Sequence, residues 1–344
     1  MVEGAGMYIG EQLNDLSEEN LAWAAQMGVA HVAVNSTHGA GTEGIENPDG
    51  TWRVEGIQAA RERLAKFGLA LDVLSLDLQS AYVTRQRFPR IMLGQPGRDE
   101  DIAVIQQNVR TAGAAGVACL KYNLNLLGVP RTGRSPGRGG VTYSQFDMAQ
   151  WTDTTPTEFG PRPAEQVWEA ITYFLERVVP VAEEAGVRLA CHPHDPALPP
   201  GGVRGVDAVL GSLAGLDRLL AIAPSPYHGL NFCQGTVAEM CADPRREVPL
   251  AIRHFGATGK IFMVHFRNIR GGYLDFEETF PDEGDVDMYE CIKLYRDLGY
   301  EGMVLPDHVP HSAVDTPWGH RQHSFCLGYT KALIQAATAE APAN

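Results

Sequence analysis

The sequence predicts an α/β fold in which eight parallel strands and the helices between them close into a (β/α)₈ barrel. Three observations lead to this prediction: strand-like and helix-like stretches alternate along the chain, the strand-like stretches number eight, and several helix-like stretches run through a glycine into an apolar run. Eight such repeats close a barrel, while an open doubly wound sheet is the alternative. The 344 residues accommodate one barrel of about 250 residues with insertions.

The predicted strands are short apolar runs, as expected for strands that are buried on both faces of a parallel sheet. In chain order they are Met7–Glu11, His31–Ser36, Ala70–Leu76, Val117–Asn123, Val187–His192, Gly229–Cys233, Ile261–Phe266 and Met303–Asp307. Prolines follow His192 and stop the fifth strand, because proline cannot donate a ladder hydrogen bond.

Helix-like stretches with capping signals lie between these strands. They are Glu18–Met27, Val54–Phe67, Asp99–Ala114, Pro163–Ala185, Val206–Ile222, Pro249–Phe255 and Met288–Leu298. Ser17 is a predicted N-cap, and glycine is the residue that most readily ends a helix in the left-handed conformation. Such glycines are Gly28, Gly68, Gly116, Gly186 and Gly299.

The longest connection follows the fourth strand, over about residues 124–162. It contains the Gly/Arg-rich stretch "RTGRSPGRGG" at 131–140. Barrel enzymes carry their sites in the loops on this side of the strands. We therefore expect an extended active-site loop here, either a basic lid or a solvated loop. The prediction is a single domain, residues 1–344, whose barrel covers about residues 7–335.

Composition excludes several classes of partner. The chain has 28 basic and 42 acidic residues, for a net charge of −14, whereas nucleic acids and anionic membranes attract basic surfaces. No run approaches the ~20 apolar residues of a membrane span, and no secretory signal is evident. The predicted location is the cytoplasm, where six cysteines without CxxC spacing are expected to be reduced, mostly buried thiols.

Four consecutive predicted strands end in residue types that bind metals. These residues are His192, Cys233, His265 and Asp307. Each alone is an ordinary buried side chain, but the carboxyl ends of barrel strands share one opening, so we expect all four to meet around one divalent transition metal. Thiolate and imidazole favour zinc or iron, while manganese and iron expand more readily beyond four ligands and leave room for a substrate.

Two further candidates adjoin these ligands. His308 follows Asp307 directly, and its imidazole suits either proton transfer or a hydrogen bond to a ligand. Arg267 lies two residues after His265 and offers either a planar fork for a substrate carboxylate or a salt bridge. An acidic protein needs such a local positive group to bind an anionic substrate.

Short motifs spread over residues 7–335 resemble those of the mannonate dehydratases, the sugar-acid dehydratases of hexuronate breakdown. "LGQPGRDEDI" (93–102) resembles the family's "LG-P-RDE-I", and "YN" (122–123) followed by "RTGR" (131–134) resembles its Tyr-Asn and Arg-Thr pairs. Five more segments are similar to family motifs in the same order: "HPHDP" (192–196), "FCQG" (232–235), "VHFRN" (264–268), "FEETFPDEGDVDM" (276–288) and "PDH" (306–308).

The resemblance implies a xylose-isomerase-like TIM barrel that binds Mn²⁺, or Fe²⁺ or another divalent transition metal, through the four residues named above. It also implies a hydro-lyase, usually oligomeric, that converts D-mannonate to 2-keto-3-deoxy-D-gluconate and water. His308 and Arg267 then belong to the catalytic group. The implied substrate contacts are Tyr122, Asn123, Arg131, Arg134, Asn268 and Glu278.

The chain departs from the family pattern at three places. His194 replaces the first acid of "HPDDP", and Phe280-Pro281 replaces a Ser-His pair. The family's C-terminal "PGY" tyrosine, an acid or base, has no counterpart before Tyr329. We expect His320 to take that role, with His323 as the alternative.

Two other functions fit the same pattern. A metal-dependent sugar isomerase or epimerase would use paired carboxylates for proton transfer, and only Glu11 and Glu278 are candidates for them. A non-catalytic sugar-binding protein with a structural metal would need no proton-transfer residue such as His308.

Overall fold

The computed structural model describes residues 6–340 of the chain. The strands are β1 (Tyr8–Leu13), β2 (His31–Val34), β3 (Ala70–Ser75), β4 (Cys119–Tyr122), β5 (Gly133–Pro136), β6 (Thr142–Asp147), β7 (Arg188–Cys191), β8 (His228–Cys233), β9 (Ile261–His265), β10 (Asn268–Gly272), β11 (Asp275–Thr279) and β12 (Met303–Leu305). The helices are α1 (Glu18–Gln26), α2 (Val54–Ala65), α3 (Pro89–Leu93), α4 (Arg98–Ala114), α5 (Ala164–Ala185), α6 (Leu213–Ala221), α7 (Gln234–Ala238), α8 (Pro244–Ala257), α9 (Met288–Asp297) and α10 (His320–Ala339).

Eight of the strands close into a parallel barrel in the order β1-β12-β9-β8-β7-β4-β3-β2. These are the eight strands predicted from the apolar runs, so the (β/α)₈ barrel is confirmed. An open doubly wound sheet would leave two unpaired edge strands, and this closed sheet has none.

Contacts divide the chain into two compact units. Unit one contains Met1–Glu11, Arg131–Trp151 and Asn231–Asn344, and unit two contains Gln12–Pro130 and Thr152–Leu230. Within unit one β12 pairs with β1 and with β9, and within unit two β2, β3, β4, β7 and the start of β8 pair in succession. The assignment of residues 1–344 to a single domain, with its barrel over about 7–335, stays a prediction.

Local sequence explains the helix boundaries. The Ser17 side chain accepts a hydrogen bond from the Asn20 backbone N–H and so caps α1 as predicted. Gly186 ends α5 with φ at 67°, a left-handed conformation that costs glycine nothing. Helix α5 buries an apolar stripe at helical spacing, which contributes about 1.5–3 kcal/mol per large side chain. The stripe includes Ile171, Phe174, Leu175 and Val178.

The extended connection after β4 is confirmed, and it carries regular structure that the sequence pattern did not reveal. Strands β5 and β6 lie within it and join β10 and β11 in an antiparallel sheet of order β10-β11-β6-β5. Phe146 of β6 pairs with Phe276 of β11, and their rings stack with centroids 5.9 Å apart. The "RTGRSPGRGG" stretch is largely a strand and a turn: β5 pairs with the adjacent β6, and β6 pairs with β11 much later in the sequence.

Three helices were absent from the prediction, namely α3, α7 and α10, and α6 begins at Leu213 rather than at Val206. Helix α10 is the longest of the three helices that the sequence did not predict. It follows Gly319, which has no side chain to cap it, and its first N–H groups donate instead to Thr316 and Asp315. The helix buries Cys326 against Tyr143 and Phe280. Among residues 6–340, no helix is both long enough and apolar enough to cross a membrane.

Candidate active site

Three of the predicted metal ligands lie together in unit one. Cys233 is the last residue of β8, His265 is the last residue of β9, and Asp307 follows β12 by two residues. The Cys233 Sγ lies 3.8 Å from Asp307 Oδ2, and His265 Nδ1 lies 3.3 Å from the same oxygen. All three side chains are more than nine-tenths buried.

These distances fit a shared metal ion. Metal bonds of ~2.0–2.2 Å to nitrogen or oxygen and ~2.3 Å to sulfur place neighbouring ligand atoms ~3.3–3.7 Å apart in a tetrahedral site. The ligand atoms of the three residues all lie within 4.8 Å of one another. Thiolate, imidazole and carboxylate are each good ligands for a divalent transition metal, so the donor set fits the ion that the sequence predicted.

The Cys233 thiol differs from the other five cysteines. Burial by itself raises the pKa of this thiol. The Arg267 charge and a hydrogen bond from His265 lower it by more, so the pKa of Cys233 lies below the ordinary value. The Thr236 hydroxyl lies 3.1 Å from Sγ and donates to it. Burial raises the pKa of Cys119, Cys191, Cys241, Cys291 and Cys326. Because a metal ligand must be a thiolate, only Cys233 has the environment of one.

Asn231 orients the His265 ring. Its side-chain amide lies 3.1 Å from His265 Nε2. The amide nitrogen Nδ2 is the atom placed against Nε2. Rotated by half a turn, the amide oxygen would accept the Nε2–H and leave a lone pair on Nδ1, the atom that faces Asp307. We did not identify Asn231 from sequence, although its place two residues before Cys233 puts both side chains on one face of β8.

His192 lies in unit two, directly after β7, and is buried. Its Nδ1 is 2.7 Å from the Pro193 carbonyl oxygen, so the proton resides on Nδ1 and Nε2 has the lone pair that a metal ligand needs. His194 contacts only backbone in the bonds described: Nε2 approaches the Leu124 oxygen and Nδ1 accepts from the Leu210 N–H. Burial lowers the pKa of His194 to about 4, which is the behaviour of a structural histidine.

A buried ion-pair network surrounds the three ligands in unit one. The Arg267 guanidinium lies 2.8 Å from Glu239 and 3.4 Å from both Glu278 and Asp307. Arg131 pairs with Glu278 and lies 3.8 Å from Glu239. Arg267 is only 2% exposed, so its guanidinium is held by protein carboxylates. Glu239 was not identified from sequence, since it lies in a stretch with no motif.

His308 forms a close pair with Glu278. Its Nδ1 is 2.7 Å from Glu278 Oε1, and 37% of the imidazole is exposed. Burial lowers the pKa of His308, but the charges of Glu278 and Asp307 outweigh it and raise the pKa to about 10. Glu278 belongs to β11, so the inserted sheet supplies the partner of the predicted proton-transfer residue.

A second histidine pair involves His323 rather than His320. His323 Nδ1 lies 3.2 Å from Glu11 Oε2, and the imidazole is 18% exposed. Burial lowers the pKa of His323, and Glu11 and then Asp307 raise it above the ordinary value. His320 begins α10, where its backbone N–H donates to Thr316 and its carbonyl accepts from Ser324. His320 stays a prediction, while the geometry favours His323.

The remaining predicted substrate contacts fall into two groups. Tyr122 and Asn123 in unit two are buried, and the Tyr122 hydroxyl lies 3.3 Å from His228 Nε2. Asn268 in unit one is 1% exposed, and its side chain bonds the backbone at Pro281 and Val286, which holds that loop. Arg134 is exposed on β5.

The barrel and its cluster of ligands define a class of metal-binding barrel enzymes, and comparisons identify the family. A profile described as D-mannonate dehydratase (UxuA) matches residues 157–340. Mannonate dehydratase 2 of Halalkalibacterium halodurans is 30% identical over 289 residues, which cover 75% of this chain and 79% of that protein. The chain belongs to the D-mannonate dehydratase family, which makes it a sugar-acid dehydratase and hence a hydro-lyase.

Solved structures agree on the fold. The mannonate dehydratase of Streptococcus suis serotype 2 superimposes with a TM-score of 0.83 at 23% identity, covering 99% of this chain and 97% of that one. A xylose isomerase domain protein of Planctomyces limnophilus gives 0.59 at 13% identity, covering 96% and 98%. The support for the isomerase alternative is therefore a distant similarity of fold.

Proposed function

We propose that this chain dehydrates D-mannonate to 2-keto-3-deoxy-D-gluconate and water. In this reaction the electron pair of the C2–H bond becomes a C2=C3 double bond as the C3 hydroxyl leaves, and the resulting enol tautomerises to the 2-keto acid. The observation that carries the proposal is the buried cluster of Cys233, His265 and Asp307 with the His308–Glu278 pair beside it.

The proposed metal ligands are these three residues and His192, which follows β7, the barrel neighbour of β8. The proposed ion is Mn²⁺, with Fe²⁺ as the nearest alternative, because both accept more than four ligands. When bound, it supplies Lewis-acid polarisation of the substrate's oxygens.

The proton transfers fall to histidines. Glu278 holds His308 Nδ1, so His308 exchanges a proton with substrate through Nε2, and the partly exposed ring is accessible for this. The reaction moves one proton from C2 and delivers one to the departing hydroxyl, so a second group is useful. We assign that role to His323, which Glu11 orients, in place of His320.

Arg267 acts as a positioning residue in this proposal. Its guanidinium lies close to Glu239, Glu278 and Asp307, compensates part of their negative charge and keeps the last two in place. Arg131 and Arg134 are the proposed contacts for the substrate anion, and Tyr122, Asn123, Asn268 and Glu278 support the site around it. A cytoplasmic location and a homo-oligomeric state belong to the same proposal and rest on sequence.

The direct test incubates metal-stripped protein with a panel of hexonates, with and without Mn²⁺, and measures 2-keto-3-deoxy products. We expect D-mannonate to react only when metal is restored. Isomerisation of aldoses or ketoses without turnover of any hexonate would overturn the proposal.

A matched pair of cysteine variants tests the ligand set. Cys233→Ser should lose bound Mn²⁺, while Cys241→Ser should keep it. Both cysteines are buried free thiols, but burial raises the pKa of Cys241 to about 12. Equal metal content in the two variants, measured by elemental analysis, would remove Cys233 from the site.

The His308–Glu278 pair is tested by separating metal binding from turnover. His308→Gln should keep its metal and lose about 10²–10⁴-fold in kcat. Glu278→Gln should give a smaller loss in kcat with KM little changed, because it orients the imidazole without reacting. Parental kcat in His308→Gln would mean that another residue moves the proton.

A further inference from the structure

Unit two contains a second cluster of ligand types. His38 and Glu46 lie in the long connection between β2 and α2, and Asp77 follows β3 by two residues. The His38 Nε2 atom lies 3.5 Å from Asp77 Oδ2 and 3.6 Å from Glu46 Oε2. Both carboxylates are more than nine-tenths buried, while the imidazole is half exposed and gives access to them.

Asp77 is the unusual member of this cluster. Its side chain is 5% exposed, and Oδ2 receives no hydrogen bond from any described residue although it faces the imidazole. A buried carboxylate oxygen without a donor costs free energy and is normally satisfied. The oxygen is therefore placed for a group that comes from outside the chain.

The distances fit a metal site better than a direct hydrogen bond. Separations of 3.5 and 3.6 Å exceed the ~2.7–3.2 Å of a hydrogen bond. They approach the ~3.3–3.5 Å edge of a tetrahedron whose metal bonds to nitrogen and oxygen are ~2.0–2.2 Å. The imidazole thus stands at ligand spacing from both carboxylates.

Two neighbouring side chains orient the Glu46 carboxylate toward His38. Arg87 binds Oε1 at 2.9 Å, and the Thr37 hydroxyl donates to Oε2 at 3.0 Å. These two contacts orient the carboxylate so that Oε2 faces His38. Oε2 retains a second lone pair for a cation.

The raised pKa of Asp77 agrees with a cation site in this cluster. Burial, followed by the neighbouring Glu46 carboxylate, raises the pKa of Asp77 to about 7. The ligand oxygens of Glu46 and Asp77 lie within 4.8 Å of one another, so a proton or a cation between them relieves their repulsion at neutral pH. A divalent cation would displace the proton and satisfy both groups.

We propose that His38, Glu46 and Asp77 form a second metal site that binds Zn²⁺, with water as the fourth ligand. Imidazole with two carboxylates is a zinc-type donor set. The ion would tie the β2–α2 connection to the end of β3. This site is independent of the proposed dehydration and shares no residue with it.

The test measures how many zinc ions are bound by variants that are altered at one site or at both. Chelator-stripped protein is titrated with Zn²⁺ against a chromophoric chelator. We expect two tight equivalents in the unmodified chain and one in Cys233→Ser. In the Cys233→Ser background, His38→Gln and Asp77→Asn should each weaken the remaining equivalent more than ~10-fold, since loss of an outer-shell partner alone costs ~10–100-fold.

His31 offers a matched control, because it is also partly exposed and pairs with a carboxylate, Asp72, at an ordinary 3.0 Å. His31→Gln should leave zinc binding unchanged. Zn²⁺ should also raise the Tm of Cys233→Ser and not that of Cys233→Ser/His38→Gln. The proposal fails if Cys233→Ser binds no zinc, or if His38→Gln binds as tightly as His31→Gln.

Discussion

Replacing Arg267 by methionine tests the buried network at the site. The guanidinium is 2% exposed and lies 2.8 Å from Glu239, which is fully buried. Methionine keeps most of the side-chain volume and removes the charge. The substitution therefore removes the 2.8 Å ion pair from the buried Glu239 carboxylate, whereas Arg131 lies farther away, at 3.8 Å.

The expected magnitude follows from the geometry. At 2.8 Å the pair interacts by about 6 kcal/mol with an effective dielectric constant of ~20. Removing one partner from a buried pair costs about 3–5 kcal/mol. We expect Arg267→Met to lower the free energy of unfolding by that amount, a large part of the ~5–15 kcal/mol of a typical domain.

Urea unfolding followed by circular dichroism measures the effect. Arg267→Met/Glu239→Gln should be more stable than the sum of the two single losses predicts, because the double variant no longer buries an uncompensated carboxylate. Arg134→Met, on exposed β5 with one hydrogen bond to Thr142, should change stability by less than ~0.5 kcal/mol. Additive losses, or a loss below ~1 kcal/mol in Arg267→Met, would refute the reasoning.

Three further predictions concern stability. The pKa of Asp77 is raised from 3.8 to about 7, so ionisation penalises the folded state as pH rises through this interval. The increase in free energy of unfolding caused by Asp77→Asn, measured in EDTA, should therefore grow from pH 5 to pH 8, up to about 4 kcal/mol. A difference between the variant and the unmodified chain that shrinks over this pH range would contradict the prediction. In helix α2 a Cβ on Gly56 would lie 2.0 Å from the Gly44 oxygen, so Gly56→Ala should cost about 1–3 kcal/mol. Gly328 in α10 has nothing within 4 Å, so thermal unfolding should show Gly328→Ala to be stabilising by about 0.5–1 kcal/mol.

The barrel was predictable because its signals are local. Apolar runs, the Ser17 cap and glycines such as Gly186 each act within a few residues of chain. The inserted sheet was not predictable in this way. Its strand β5 reads "GRSP" and pairs with β6, which in turn pairs with β11 about 130 residues later.

The same division holds for the candidate site. Cys233, His265 and Asp307 could be inferred from sequence because barrel topology brings strand ends to one rim. Glu239 carried no sequence signal, since its role comes from Arg267 at 2.8 Å. Likewise His323 was only the alternative to His320 in the prediction from sequence, and the fold of α10 is what sets its imidazole against Glu11.

The amino-acid sequence by itself determined the order of strands and helices and the chemical types at the strand ends, because hydrophobic periodicity and capping are short-range effects. The tertiary structure decided which thiol has a lowered pKa and which carboxylate holds His308. Those properties depend on Coulomb interactions and desolvation between side chains such as Glu278 and Arg267, whose proximity arises only when β11 and β9 are folded.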